Sequence, residues 1–237
     1  MKKTFLAMAV VVMALAQSAQ ADMIIYQNTF NVGGVIPDGD LGGFADTRML
    51  SMSSAAITDV NVRLTLSGGW NGDLYAYLVH SSGFAVLLNR VGRGTGPGDS
   101  AAGYGTAGMD VLLDNIGTAG NIHDVPGPGT SAGWTGTPTY QADGRNISPL
   151  ATVGSFDSGT PVAPLSSFNG LNGNGAWTLF IADVSGGDQS TLTSWGLEIA
   201  AVPEPGSFGE GAVAALLLGG MIGFYRLKGP KAQLQAC

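Results

Sequence analysis

From Ile57 to Leu66 the chain alternates: Asp59, Asn61, Arg63 and Thr65 fall on one side, and Val60, Val62, Leu64 and Leu66 on the other. Successive side chains of a strand point to opposite faces, so this period of two specifies an extended segment with one buried face. The same logic makes a strand of Leu74 to Val79, and another of Phe84 to Leu88 after the Ser81-Ser82-Gly83 turn. Further along, Trp177, Leu179 and Ile181 share one face, as do Trp195, Leu197 and Ile199. No helical period competes with these strands before residue 210, and with 38 glycines and 11 prolines the chain is poorly suited to a helical bundle. An all-β chain with strands grouped in two hairpin regions reads as an antiparallel sandwich.

Turn residues punctuate the pattern. Trp70-Asn71-Gly72-Asp73 reads as a tight reversal in which Asn-Gly supplies positive φ. From Gly92 to about Pro164, Gly-Pro and Pro-Gly dipeptides mark long loops around one short apolar strand, Met109 to Leu113. Val184 to Asp188 forms a glycine-rich turn before the last strand. The only cysteine is Cys237, so no intrachain disulfide braces this sandwich.

Charge narrows the partners. The net charge is −7 overall, and every lysine lies in the terminal segments. Between Asp22 and Ala201 five arginines stand against fourteen aspartates and one glutamate, a balance of −10. Such a surface repels phosphate backbones, so nucleic acid is not an expected partner, whereas divalent cations and neutral polysaccharide are electrostatically easier.

Both ends carry addresses. Lys2 and Lys3 precede an apolar run from Phe5 to Ala16, and Ala19 and Ala21 supply the small residues that signal peptidase accepts. This predicts a secretory signal helix over residues 1–21, cleaved before Asp22. At the other end Pro203-Glu204-Pro205 stops the last strand, because proline cannot donate to a ladder. A mostly apolar stretch from Gly211 to Tyr225 follows, then Arg226 and Lys228. The apolar run is short for a bilayer core, which suits a transient stop, and the basic pair favours retention at the cytoplasmic face. This tripartite tail resembles the PEP-CTERM sorting signal of Gram-negative bacteria that make extracellular polysaccharide. The resemblance implies transient inner-membrane insertion and processing by an exosortase; an ordinary single-span anchor is the alternative.

The middle of the chain also resembles a family. Trp70-Asn71-Gly72-Asp73-Leu74, Leu78 through Gly83, Asn174 through Leu179 leading to Asp183, and Leu192-Thr193-Ser194-Trp195-Gly196-Leu197 are similar to the P/Homo B domain of kexin-type and furin-type proprotein convertases. The resemblance implies a jelly-roll β-sandwich. Gly68-Gly69 stands where the family commonly has His-Thr, and Ser190 where it has glycine. The expected organisation is a signal peptide (1–21), N-terminal strands and loops (22–54), the sandwich (55–200) and the sorting tail with its membrane helix (201–237).

In convertases this domain accompanies a protease, but roughly thirty-five residues ahead of the first resembling strand leave no room for one. The two histidines, His80 and His123, lie near no Gly-x-Ser-x-Gly nucleophile motif. Hydrolysis would require a buried histidine and an acid converging on one cleft. No phosphate loop, dinucleotide fingerprint or zinc-ligand pair occurs, so no catalytic or cofactor-binding residue is assigned. Calcium is the one metal left open. Asp73, Asp110, Asp114, Asp183 and Asp188 lie in or beside turns, and Asp73 and Asp183 fall within the family-like blocks. Carboxylates so placed either gather a hard cation or cap their own turns. The expected function is therefore that of an exported, non-catalytic module at the cell surface or in the extracellular matrix, interacting with exopolysaccharide or other matrix proteins. The alternative is a lectin-like module whose loop aromatics, Tyr104, Trp134 and Tyr140, stack on sugar rings.

Overall fold

A computed structural model describes residues 23–52, 55–125 and 139–203. Ala19, Ala21, Trp134, Glu204, Pro205, Arg226 and Lys228 lie outside the described residues. So do the signal and membrane segments. Among the described residues no helix is long and apolar enough to cross a membrane.

Among the described residues nine strands form two sheets. They are β1 (Ile24–Val35), β2 (Asp40–Leu50), β3 (Ala55–Gly68), β4 (Leu74–His80), β5 (Gly83–Asn89), β6 (Met109–Asp114), β7 (Tyr140–Gln141), β8 (Gly175–Asp183) and β9 (Ser190–Pro203). One sheet runs β1-β9-β3-β6-β7 and the other β2-β8-β4-β5. Pairing is antiparallel at β1–β9, β2–β8, β3–β6, β4–β5 and β4–β8, and parallel at the two-residue β7. The all-β sandwich expected from alternation is present. Among the described residues a helix of one and a half turns, α1 (Val153–Ser158), sits in the loops with two 3-10 turns.

The alternation translates directly into packing. Val60, Val62 and Leu64 of β3, Trp177, Leu179 and Ile181 of β8, and Trp195, Leu197 and Ile199 of β9 are all buried in one core. Buried indole N–H groups usually find an acceptor. Trp177 donates to Gly173 O at 3.0 Å and Trp195 to Asp46 Oδ2 at 2.6 Å.

Which sheet each strand joins differs from the hairpin expectation. β3 and β4 follow one another in sequence yet belong to different sheets, as do β8 and β9. The Trp70–Asp73 stretch is therefore not a hairpin reversal. Asn71–Asp73 form a 3-10 turn with Gly72 outside the positive-φ region, while Gly68 (φ 72) and Gly69 (φ 67) lift the chain across the core. Only β4 and β5 form the hairpin that was expected, around Ser81. The sandwich also extends further back than residue 55, because β1 pairs with β9 and β2 with β8, and the compact unit runs Asp22–Val202. The exposed edge of β5 is covered by the loop chain: Gly144 N–H donates to Val86 O at 2.9 Å and Val86 N–H to Ala163 O at 3.0 Å.

Candidate functional site

Two clusters of charge grow out of the loops at strand ends. The first contains the carboxylates expected from sequence. Asp73 ends the 3-10 turn before β4 and Asp183 ends β8, and β4–β8 pairing brings them together, with Val184 N–H donating to Asp73 O at 2.9 Å. The structure places a cation of its own there: Arg90 Nη2 donates to Asp73 Oδ1 at 2.8 Å and its Nε to Gly72 O at 2.9 Å. Asp183 is fully buried. Its Oδ1 accepts from Ser185 N–H at 3.4 Å, while its Oδ2 has no hydrogen-bond partner. Burial pushes its pKa up to about 6 against the Ser185 bond, with the neighbouring Asp73 and Asp38 charges adding to the rise and Arg90 opposing it. Burial likewise raises Asp73, opposed by Arg90.

The other carboxylates considered for calcium do not join this pair as ligands. Asp110 lies in β6 of the opposite sheet, bonded to Arg63 at 2.7 Å. Asp114 turns back to accept Ile116 N–H at 3.0 Å, the turn-capping use of an aspartate. Asp188 acts on Asp73 through its charge. Among the described residues no three His, Cys, Asp or Glu side chains are grouped to hold a metal.

The second cluster was not expected, since its parts come from sequence positions with no common spacing. His123 is buried beside Asp143, with Nδ1 2.7 Å from Asp143 Oδ2. Asp143 is itself fully buried and accepts three further bonds, from Asn89 N–H at 3.1 Å, Arg145 N–H at 3.2 Å and Arg145 Nη1 at 3.4 Å. Arg145 then reaches Asp124 Oδ1 at 2.9 Å. A buried carboxylate is tolerated only when so bonded. The arrangement fastens the loop segments around residues 123 and 145 onto the end of β5 at Asn89.

A buried histidine and an acid do therefore converge, next to a cleft of about 300 Å³ lined by His123, Asp124, Arg145 and Asp157. The geometry is nevertheless that of a clamp. A triad histidine presents one nitrogen to an acid and the other to a nucleophile. Here Nε2 faces Arg93 O at 3.2 Å, so both nitrogens meet oxygen acceptors and both must carry hydrogen. Burial favours the neutral ring, but the Asp143 bond and charge, with the Arg93 carbonyl, outweigh it and hold the pKa above the ordinary histidine value. His80 is also occupied: Nδ1 is 2.9 Å from Ala176 O and Nε2 2.7 Å from Asn172 O, with the ring stacked on Trp177 at 4.0 Å. Neither ring offers a nitrogen to a substrate.

The loop aromatics expected to stack on sugars are placed differently. Tyr104 and Tyr140 are buried core members, 7% and 6% exposed. Tyr104 packs over Gly92, and Tyr140 belongs to β7. Burying those rings gains more than leaving them in water, and nothing in the local residue pattern signals that β7 draws its loop inward.

No family model matches the chain, and no curated protein is similar to it. Among solved structures, the chain is similar to the serine protease of Aeromonas sobria in complex with its chaperone (14% identity, TM-score 0.42, covering 82% of this chain and 29% of that one). It is also similar to the Aeromonas sobria serine protease alone (13% identity, TM-score 0.41, covering 81% and 29%). The chain thus spans under a third of the length of the solved structures it matches.

Proposed function

We propose that this chain is an exported, non-catalytic protein of the cell surface or extracellular matrix, and that its sandwich is a jelly roll of P/Homo B type serving as an interaction or structural module. The strand orders β1-β9-β3-β6 and β2-β8-β4-β5 support the jelly-roll reading, since each sheet interleaves early and late strands as two Greek keys do. The family-like blocks fall on β8, on β9 and on the crossing before β4.

The observation that carries the non-catalytic reading is His123. Its acid partner, Asp143, is matched by the Arg93 carbonyl on the other nitrogen, so the ring joins loops together and has no lone pair for a nucleophile. Export through signal peptidase, sorting by an exosortase at Pro203-Glu204-Pro205 and residence in exopolysaccharide or biofilm matrix complete the proposal. These rest on the sequence of the two ends.

Retention of the full chain on immobilised exopolysaccharide or matrix protein tests the module. Failure to be retained on either, in the presence or absence of calcium, would overturn it. Replacing Pro203-Glu204-Pro205 by three alanines tests sorting, with the mass of the surface-exposed chain as readout; processing identical to that of the unsubstituted chain refutes it. The lectin reading no longer rests on Tyr104 or Tyr140, and keeps support only from the polar cleft beside His123.

A further inference from the structure

The cleft beside the His123 clamp is built from a glycine-rich loop and the end of α1. Thr95 holds Asp157 by two bonds, its N–H to Oδ1 at 2.9 Å and its hydroxyl to Oδ2 at 2.8 Å. Asp99 approaches from the other side of the same loop. Its Oδ2 and Asp157 Oδ1 both lie 2.7 Å from the point that a Cβ on Gly94 would occupy. Only a residue without a side chain lets the two carboxylates come so close to the backbone, and Gly96 is approached by Asp99 in the same way at 2.8 Å. Across the cleft stand Asp124, more than half exposed, and the Arg145 guanidinium that it binds, while Phe156 forms part of the wall under the stacked His123 ring.

We propose that this cleft binds a neutral, polyhydroxylated ligand, a hexose unit of a polysaccharide, with Asp99, Asp124 and Asp157 accepting from its hydroxyls and Arg145 donating to them. The proposal rests on the reading of the chain as an interaction module, and names the site through which it would act.

The electrostatics select this class. A phosphate, sulfate or uronate would meet three carboxylates. An ammonium or guanidinium group would meet the Arg145 guanidinium. Among the described residues no three ligating side chains are grouped for a metal. Carboxylates that keep free lone pairs, set beside a guanidinium, suit neighbouring hydroxyls, which donate and accept at once. The volume of about 300 Å³ lies at the small end of ligand pockets, enough for a sugar unit.

Calorimetric titration of the full chain with methyl glucoside, methyl galactoside, methyl mannoside, glucuronate and calcium chloride tests the site. The expected result is binding of at least one neutral glycoside, weakened by roughly tenfold or more in Gly94→Ala, whose new methyl group displaces both carboxylates. Should Gly94→Ala lose its cooperative melting transition, Asp124→Asn decides in its place, with the same loss expected. The proposal is overturned if no neutral glycoside binds more tightly than about 10 mM, if the deciding variant binds as the unsubstituted chain does, or if glucuronate or calcium alone binds. Retention of an unchanged variant on immobilised polysaccharide would sink this cleft and leave the module reading standing. Loss of retention by the unsubstituted chain would sink both.

Discussion

Gly69 and Ser190 face each other where the chain crosses from one sheet to the other: a Cβ on Gly69 would overlap Ser190 Oγ and lie 2.9 Å from Ser190 Cβ. Ser190 fills the space that a side chain on residue 69 would need, where the β3–β4 crossing packs on the start of β9.

Gly69→Ala should accordingly destabilise the sandwich by about 2–4 kcal/mol, combining overpacking with the cost of a side chain at φ 67. Ser190→Gly should restore part of that loss, because the Ser190 hydroxyl is buried without a partner and is the atom in the way. A double-mutant cycle in urea measures this. Strict additivity of the two changes would show that the residues do not meet as described.

Asp183 predicts a pH effect. Its folded pKa of about 6 exceeds the unfolded value of 3.8, so the folded state holds the proton more tightly. The stability linked to that proton is complete below pH 3.8 and is lost as pH rises through 6. Asp183→Asn should stabilise the chain at pH 7.5 by on the order of 1–3 kcal/mol, read as a raised melting temperature, and leave it nearly unchanged at pH 4. A melting series over pH 4 to 8 tests this, and a variant that is destabilised at pH 7.5 contradicts it.

The His123 clamp predicts a second pH effect. With a folded pKa above 6.5, its contribution is fully present below pH 6.5 and disappears as pH climbs through the folded value. Asp143→Asn removes the partner charge and should cost about 3–5 kcal/mol at pH 6, as expected for breaking a buried pair. The melting temperature of the unsubstituted chain should fall between pH 6.5 and 9, and His123→Gln should flatten that fall. Equal slopes in both proteins would remove His123 from the account.

Arg90 separates the two acidic side chains from a third possibility, mutual repulsion without relief. Arg90→Met should destabilise the chain by about 3–5 kcal/mol, since Asp73 keeps its buried position and loses its counter-charge. Adding Asp183→Asn should recover part of this. Chemical denaturation at pH 7.5 measures both steps, and no recovery would mean that Asp73 and Asp183 are not coupled.

Most strands were legible because burial on one face writes a period of two into the residues, as Val60 to Leu66 and Trp177 to Ile181 demonstrate. The sheet to which each strand belongs was not, because alternation reports a buried face and says nothing about the neighbour on either edge. β1 was legible only as one of the N-terminal strands and loops at 22–54, without bounds or partner, because its inward positions are half-buried and include Asn28 and Gly34, which do not read as apolar. In the candidate site, Asp73 and Asp183 were found through their family-like blocks. Arg90, which is bonded to Asp73 and acts on Asp183 through its charge, has no signal in its local sequence. The His123, Asp143 and Arg145 clamp was invisible for a similar reason: it is assembled by long loops whose closing contacts are side-chain bonds, and such bonds leave no periodic trace.

β9 lies between β1 and β3 and ends at Pro203, with Ala201 paired to Ile24 near the start of β1. Any pull transmitted from residues after Pro203 therefore enters an interior strand, laddered on both sides, and cannot strip a lone border strand away. A body tethered in that manner would resist shear at a surface well, and would yield only when the whole sandwich gave way.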